Sequence, residues 1–360
     1  MKVTSDRFML RALALAERGR GHTGTNPLVG AVVVRGGRIV GEGWHARWGG
    51  PHAEAIALAA ARERARGATL YVTLEPCSRL GKTPPCTRMI VQAGVKRVVV
   101  ACPDPLERGR GMAEIRRAGI GTRSGVLAGQ ARAQNHEWFR RLRTGRPYLI
   151  LKLATTLDGR IADARRRSKW ITSPAARNWT RRLRSRVDAV MVGAGTAVVD
   201  NPRLTAPGRR LGPIRIVVDG RARLSPRARL MRGGEVIVAV SARAPRRRVG
   251  ALRAAGARTV VIPGRGTRMP LRAVLQALYA EGVGSILCEG GADLAGGLVA
   301  GRLVDRAVIV LAPRLLGGRG SLPSILGPDS PLARALSLAR IRVHRVGPDL
   351  IVDGDVEGRR

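Results

Sequence analysis

The chain has 360 residues, too long for one ordinary core and suited to two domains, and an ordinary hydrophobic share of 44% lets both bury sizeable cores. Aromatics make up only 3%, so the cores must rest on Val, Leu, Ile and Ala. The formal net charge of +40 invites a nucleic-acid reading, but the arginines run evenly along the chain, as compositional drift or adaptation to heat would leave them, and mark no binding face.

In chain order, Phe8, Met9, Ala12, Leu13 and Ala16 share one side of a helix over 6–18. Strands follow at 28–34 and 38–43 around the turn Arg35-Gly36-Gly37. Pro51 precedes an Ala-rich helix over 52–65, closed by Gly67. A strand at 69–74 ends at a cysteine loop, and the alternation continues with a helix at 86–93, a strand at 95–101, a helix at 112–118 and a strand near 120–126. The basic stretch 140–147, with Gly145, reads as a boundary, giving domains 1–145 and 146–360. The second half has short β-branched strands at 148–154, 187–192, 214–218, 236–240, 259–262, 285–288 and 307–311, the pattern of a buried sheet. Helices are expected at 174–185, 270–281 and 292–301, so both halves are α/β.

The four cysteines, Cys77, Cys86, Cys102 and Cys288, offer no disulfide framework. The N-terminus mixes acid and base without an apolar run, and no stretch is long enough to span a membrane. A cytoplasmic protein is therefore expected.

Chemistry concentrates in Pro51-His52-Ala53-Glu54, Glu75-Pro76-Cys77 and Pro84-Pro85-Cys86. One imidazole and two thiols make a tetrahedral Zn²⁺ site with an open fourth position for water. Glu54 is then a carboxylate free to carry protons. Unrelated surface and core residues are the bland alternative. Against it stand the His-x-Glu spacing, a proline before each cysteine, and two ligands at helix starts, where the dipole favours thiolate.

The strings Thr73-Leu74-Glu75-Pro76-Cys77-Ser78 and Gly81-Lys82-Thr83-Pro84-Pro85-Cys86 resemble the deaminase of riboflavin biosynthesis, as do Asn26-Pro27-Leu28-Val29-Gly30 and Gly41-Glu42-Gly43-Trp44-His45. The resemblance implies a cytidine-deaminase-like three-layer domain with zinc on His52, Cys77 and Cys86 and Glu54 as catalytic acid–base. It implies that Asn26, His45, Arg79 and Lys82 meet a phosphoribosylaminopyrimidine substrate. The family usually carries His where Arg79 stands and Arg where Lys82 stands, and the stretch after Asp104 is shorter than the family's Asp-Pro-Asn-Pro run.

After residue 150 come Lys152 to Arg160, Ser168-Lys169-Trp170, Gly193-Ala194-Gly195-Thr196, Asp200-Asn201-Pro202 with Leu204-Thr205, and Glu289-Gly290-Gly291. No full Gly-x-Gly-x-x-Gly is present. The ensemble resembles the reductase domain fused behind the riboflavin deaminase. That implies a dihydrofolate-reductase-like α/β domain reducing a ribosyl group to ribityl with NADPH. By the same resemblance, Ala154, Trp170, Thr196, Asp200, Gly290 and Gly291 line the cofactor. Ser168, Arg184, Leu204 and Glu289 meet the substrate, and Lys152 and Glu289 are the acid–base candidates. Pro207 replaces a family arginine, which Arg209 or Arg210 could supply instead. A different zinc deaminase with an unrelated or inactive second half, or a nucleic-acid-editing protein, are the competing readings. A homo-oligomer with no specific nucleic-acid or membrane partner is expected.

Overall fold

The computed structural model describes residues 2–80, 84–208, 212–264 and 266–357. Lys82, Arg209 and Arg210 therefore lie outside the described residues. The chain divides into two compact units, Met1–Arg143 and Thr144–Arg360.

The first unit runs α1 (Lys2–Glu17), β1 (Gly30–Arg35), β2 (Arg38–Trp44), α2 (Ala53–Ala61), β3 (Thr69–Leu74), α3 (Cys86–Gln92), β4 (Arg97–Cys102), α4 (Arg110–Arg117), β5 (Gly121–Ser124), α5 (Ala128–Gln134) and α6 (His136–Thr144). Its sheet has the order β2-β1-β3-β4-β5. β1 is antiparallel to β2 and β3, while β3, β4 and β5 are parallel. Alternation on β1 sends Ala31 and Val33 toward α2, α3 and α4, and Val32 and Val34 toward α1 and the C-terminal helices. The result is helices, sheet, helices.

The second unit runs β6 (Tyr148–Thr156), β7 (Arg160–Ala162), α7 (Pro174–Arg184), β8 (Ala189–Gly193), α8 (Ala194–Asp200), β9 (Ile214–Val218), β10 (Val236–Ser241), α9 (Arg246–Ala254), β11 (Arg258–Ile262), α10 (Leu271–Ala280), β12 (Ser285–Cys288), α11 (Ala292–Ala300), β13 (Arg306–Ala312), β14 (Leu322–Pro323), β15 (Leu338–Val346) and β16 (Asp349–Val356). The main sheet has the order β11-β10-β9-β8-β12-β6-β13-β16-β15. It is parallel up to β13, then closes with antiparallel β16 and β15. Tyr148 and Ile150 of β6 face α7, α8 and α9, whereas Leu149, Leu151 and Leu153 face α10 and α11.

The basic run expected as a boundary is partly the end of α6. Arg146, just beyond it, is fixed in the second unit. Its Nη1 and Nη2 donate to Asp305 at 2.7 and 2.9 Å in a buried pair. α5, α6, α8, α9, β15 and β16 were not expected from the sequence.

Candidate active sites

In the first unit three element ends converge. His52 is the N-cap of α2, Cys86 opens α3, and Cys77 lies just past the end of β3. The approach of α2 depends on two missing side chains on β2. A Cβ on Gly41 would stand 2.2 Å from the Ala57 carbonyl oxygen, and one on Gly43 2.4 Å from that of Ala53. The Gly-x-Gly of β2 and the alanines of α2 thus seat the helix against the strand and fix where His52 and Glu54 point.

His52 Nδ1 lies 3.2 Å from Cys86 Sγ and 3.5 Å from Cys77 Sγ, and the three ligand atoms all fall within 4.8 Å of one another. A tetrahedral zinc bonded to sulfur and nitrogen holds such atoms about 3.6 Å apart. The donor set therefore fits zinc. The Cys77 thiol is held far below its ordinary range, chiefly by its hydrogen bond with Cys86 and also by His52. Cys86 is pushed up, first by Cys77 and then by burial. Without metal the pair thus favours one thiolate, a ready ligand. Glu54 is buried beside them, and desolvation raises its pKa against the opposing pull of His52.

His45 is buried, with Nδ1 3.0 Å from the Pro51 carbonyl and Nε2 3.0 Å from Asn26 Nδ2. Nδ1 therefore donates and Nε2 accepts, and burial, as the largest cause, depresses the pKa and keeps the ring neutral. Its ring stands edge-on to His52 at 5.7 Å. Arg79, two residues past Cys77, is half exposed and donates Nε to the buried Glu107 at 2.9 Å.

Sequence reading missed two acids here. Glu75 accepts backbone N–H bonds from Asp104, Gly109 and Met112 at 3.2 to 3.3 Å. Glu107 accepts from Ser78 N–H at 3.2 Å and Ser78 O–H at 2.6 Å. Glu75 sits in a noted motif, but its amide partners are distant in sequence. Glu107 matches no motif.

In the second unit, a cleft of about 690 Å³ lies at the carboxyl ends of β6, β8 and β12, where open α/β sheets bind ligands. Lys152, Ala154, Glu289, Gly290 and Gly291 line it from the sheet. Ser168, Trp170, Arg184, Thr196, Asp200 and Leu204 line it from the surrounding segments. Arg184 and Glu289 pair with each other, Nε–Oε1 at 2.5 Å and Nη2–Oε2 at 2.8 Å. Arg184 also donates to the Thr205 carbonyl at 3.0 Å. Burial would raise the Glu289 pKa, but Arg184 and Lys152 outweigh it and keep the carboxylate ionised. Lys152 is pushed down by burial, with Glu289 opposing. Ser168 Oγ donates to Asp200 at 3.1 Å. Trp170 is exposed, and the Arg177 guanidinium lies 4.3 Å over its ring. Leu204 packs into the core and also lines the cleft.

A second cleft of about 810 Å³ shares Thr196 and Gly291 with the first and is lined by Arg221, Arg223, Arg268 and Arg272. Gly291 has φ 68°, and a Cβ there would meet Thr196 Oγ1 at 3.0 Å. Glycines where the two clefts meet, and arginines lining the second, suit a phosphorylated dinucleotide.

Residues 147–352 match the model of the RibD C-terminal domain, and residues 2–102 match the cytidine and deoxycytidylate deaminase zinc-binding region. The riboflavin biosynthesis protein RibD of Escherichia coli is 40% identical, with 95% of this chain and 97% of that protein covered. The chain belongs to the RibD family. RibD of Aquifex aeolicus is 38% identical over 96% of each chain. A solved Acinetobacter baumannii RibD superposes with TM-score 0.87 at 34% identity and 99% coverage of both chains. A Thermotoga maritima structure described as a diaminohydroxyphosphoribosylaminopyrimidine deaminase/5-amino-6-(5-phosphoribosylamino)uracil reductase has TM-score 0.82 at 33% identity, again over 99% of each. The chain is thus a bifunctional deaminase and reductase of riboflavin biosynthesis, with a cytidine-deaminase-like zinc unit and a dihydrofolate-reductase-like unit that uses NADPH. Full-length coverage removes the reading of a deaminase with an unrelated second half. Among the described residues no helix is long and apolar enough to cross a membrane.

Proposed function

We propose that the first unit, within residues 1–145, deaminates 2,5-diamino-6-(5-phosphoribosylamino)pyrimidin-4(3H)-one, and that the second, within 146–360, reduces the ribosyl group of the product to ribityl. The observation that carries this is the convergence of His52, Cys77 and Cys86 beside buried Glu54, in a chain with a separate glycine-lined groove.

Bound zinc supplies an acidified water. Glu54, buried and raised in pKa, would take the attacking water's first proton at Oε and pass it to the ring nitrogen, then take the remaining hydroxyl proton and pass it to the amine, which leaves as ammonia. His45 orders Asn26, whose amide donates to it, and packs edge-on against His52. Arg79 and Lys82 serve the substrate phosphate.

In the second unit NADPH supplies the hydride. Ala154, Trp170, Thr196, Asp200, Gly290 and Gly291 hold it in the groove. Ser168, Leu204 and the Arg184–Glu289 pair position the sugar, with Arg209 available for its phosphate. Lys152, in a desolvated site facing Glu289, holds a proton it can release to the sugar oxygen as the ring opens. The protein works in the cytoplasm as a homo-oligomer. Exposed Ile341 and Val343 on edge strand β15 support self-association, and a monomer mass in sedimentation at micromolar concentration would remove that part.

Chelation of zinc is the decisive test of the division. Ammonia release from the diaminopyrimidinone phosphate is expected to stop, while NADPH oxidation on the deaminated intermediate continues. Survival of both activities in metal-free protein would sink the proposal.

A further inference from the structure

We infer that Glu107 is a positioning residue that holds Arg79 at the rim of the deaminase site as its phosphate-binding group, so that these two residues set preference for a phosphorylated substrate. The inference rests on the deaminase reading above. Among the departures from the family pattern are Arg79 after Cys77-Ser78 and the shortened stretch after Asp104. In the fold they meet, because Glu107 comes from that stretch and pairs with Arg79.

The stretch is a built support. The Glu75 carboxylate gathers the amides of Asp104, Gly109 and Met112. A Cβ on Gly111 would stand 2.0 Å from the Pro76 carbonyl oxygen, so this backbone presses against the metal-ligand loop. Glu107 then reaches into the loop's far side, its side chain 1% exposed. A buried carboxylate needs partners. It has the Ser78 amide, the Ser78 hydroxyl and Arg79 Nε.

Only Nε of Arg79 is spent on Glu107 in the fold described, and the side chain is 52% exposed. The two terminal nitrogens, Nη1 and Nη2, therefore project from a guanidinium whose plane is fixed from behind. Two parallel donors in a fixed plane match a phosphate better than a mobile ammonium does. Arg79 follows the Cys77 thiol by two residues, and on that ground we assign its terminal nitrogens to the substrate's phosphate end. Fixing the fork in advance lowers the ordering cost of binding.

The test uses full-length zinc-loaded enzyme, ammonia release, and two substrates, the phosphoribosylamino compound and its dephosphorylated counterpart. For Arg79→Ala, the preference in kcat/KM for the phosphorylated compound is expected to fall roughly 10- to 100-fold, through KM, with zinc still one per chain. Arg79→Lys should recover only part of that preference, because it lacks the Nε that Glu107 holds. Glu107→Gln should lower the preference by about 3- to 10-fold in wild type and not further in the Arg79→Ala background. A preference unaltered by Arg79→Ala, a loss confined to kcat, or additive effects in the double variant overturns the inference. Wild type that deaminates both compounds equally well overturns it and leaves deamination standing. Wild type that releases ammonia from neither overturns the deaminase reading as well.

Discussion

Glu54 stands two residues from His52 in sequence and beside His52, Cys77 and Cys86 in space, yet it is not one of the three that converge as a donor set. Its raised pKa comes first from burial, so in the metal-free protein it tends to be protonated, which suits the proton-carrying role proposed for it. Glu54→Gln keeps the shape and removes the exchange. We expect zinc content unchanged and ammonia release down by about 10²- to 10⁴-fold, read from metal analysis and steady-state kinetics on one preparation. Loss of zinc would instead make Glu54 a structural residue. Nearby, Asp104 is lifted to about 6, by burial first and then by the charges of Glu107 and Glu75, against the pull of Arg79 and the Leu106 amide. An acid raised in the fold binds its proton more tightly there than in the unfolded chain. Stability therefore falls as pH rises from the unfolded pKa, about 3.9, to the folded value, and stays reduced above it. Asn keeps the acceptor for the Leu106 N–H and lacks the charge. Asp104→Asn should thus stabilise metal-free protein by about 1–2 kcal/mol near pH 7.5, after a discount for partial exposure, and by almost nothing near pH 4. Urea midpoints at the two pH values check this, and a variant no more stable at the higher pH removes the assignment.

Elements carry the ligands because their ends meet, and that depends on glycines more than on any polar residue. Gly111 shows this most directly, since its absent Cβ would fall 2.0 Å from the Pro76 carbonyl. Gly111→Ala must push α4 away from the Glu75–Cys77 loop. We expect destabilisation of about 1–3 kcal/mol and a measurable loss of zinc affinity in chelator competition. Wild-type zinc affinity in a folded variant would show the loop to be independent of α4. The grouping of His52, Cys77 and Cys86 with Glu54 and most central strands were legible in the sequence, because β-branched runs, prolines and His-x-Glu spacing are local signals. β9 and β12 have the expected bounds, Ile214–Val218 and Ser285–Cys288. Less legible were elements without such signals. α9 (Arg246–Ala254) opens on a run of arginines and buries Leu252 alone, so it lacks an apolar stripe. β15 alternates Ile341 and Val343 with arginines, yet it is an exposed edge, and its pairing with β16 is a tertiary fact. Glu75 and Glu107 were invisible as a support because their partners lie about thirty residues away across the fold.

At the scale of the molecule the +40 charge asks what so many arginines do. Part of the answer is intramolecular. Arg146 is buried on Asp305, Arg184 on Glu289, and Arg306 of β13 pairs with Asp353 of β16. Arg221, Arg223, Arg268 and Arg272 gather at one cleft, and Arg79 at the other site. The 65 basic residues nevertheless outnumber the 25 acidic ones by 40, and a chain so charged will attract any polyanion. Such attraction has a diagnostic form. If it rests on counterion release alone, affinity for duplex DNA should fall by about 10³-fold or more between 50 and 200 mM salt, with no preference among sequences. Fluorescence anisotropy against several duplexes at both salts measures this. The phosphate-bearing substrate meets only a few cations at a fixed site, so its KM should rise far less over the same range. A duplex that stays bound at the higher salt, or one sequence bound much more tightly than the rest, would give the charge a role beyond the two active sites.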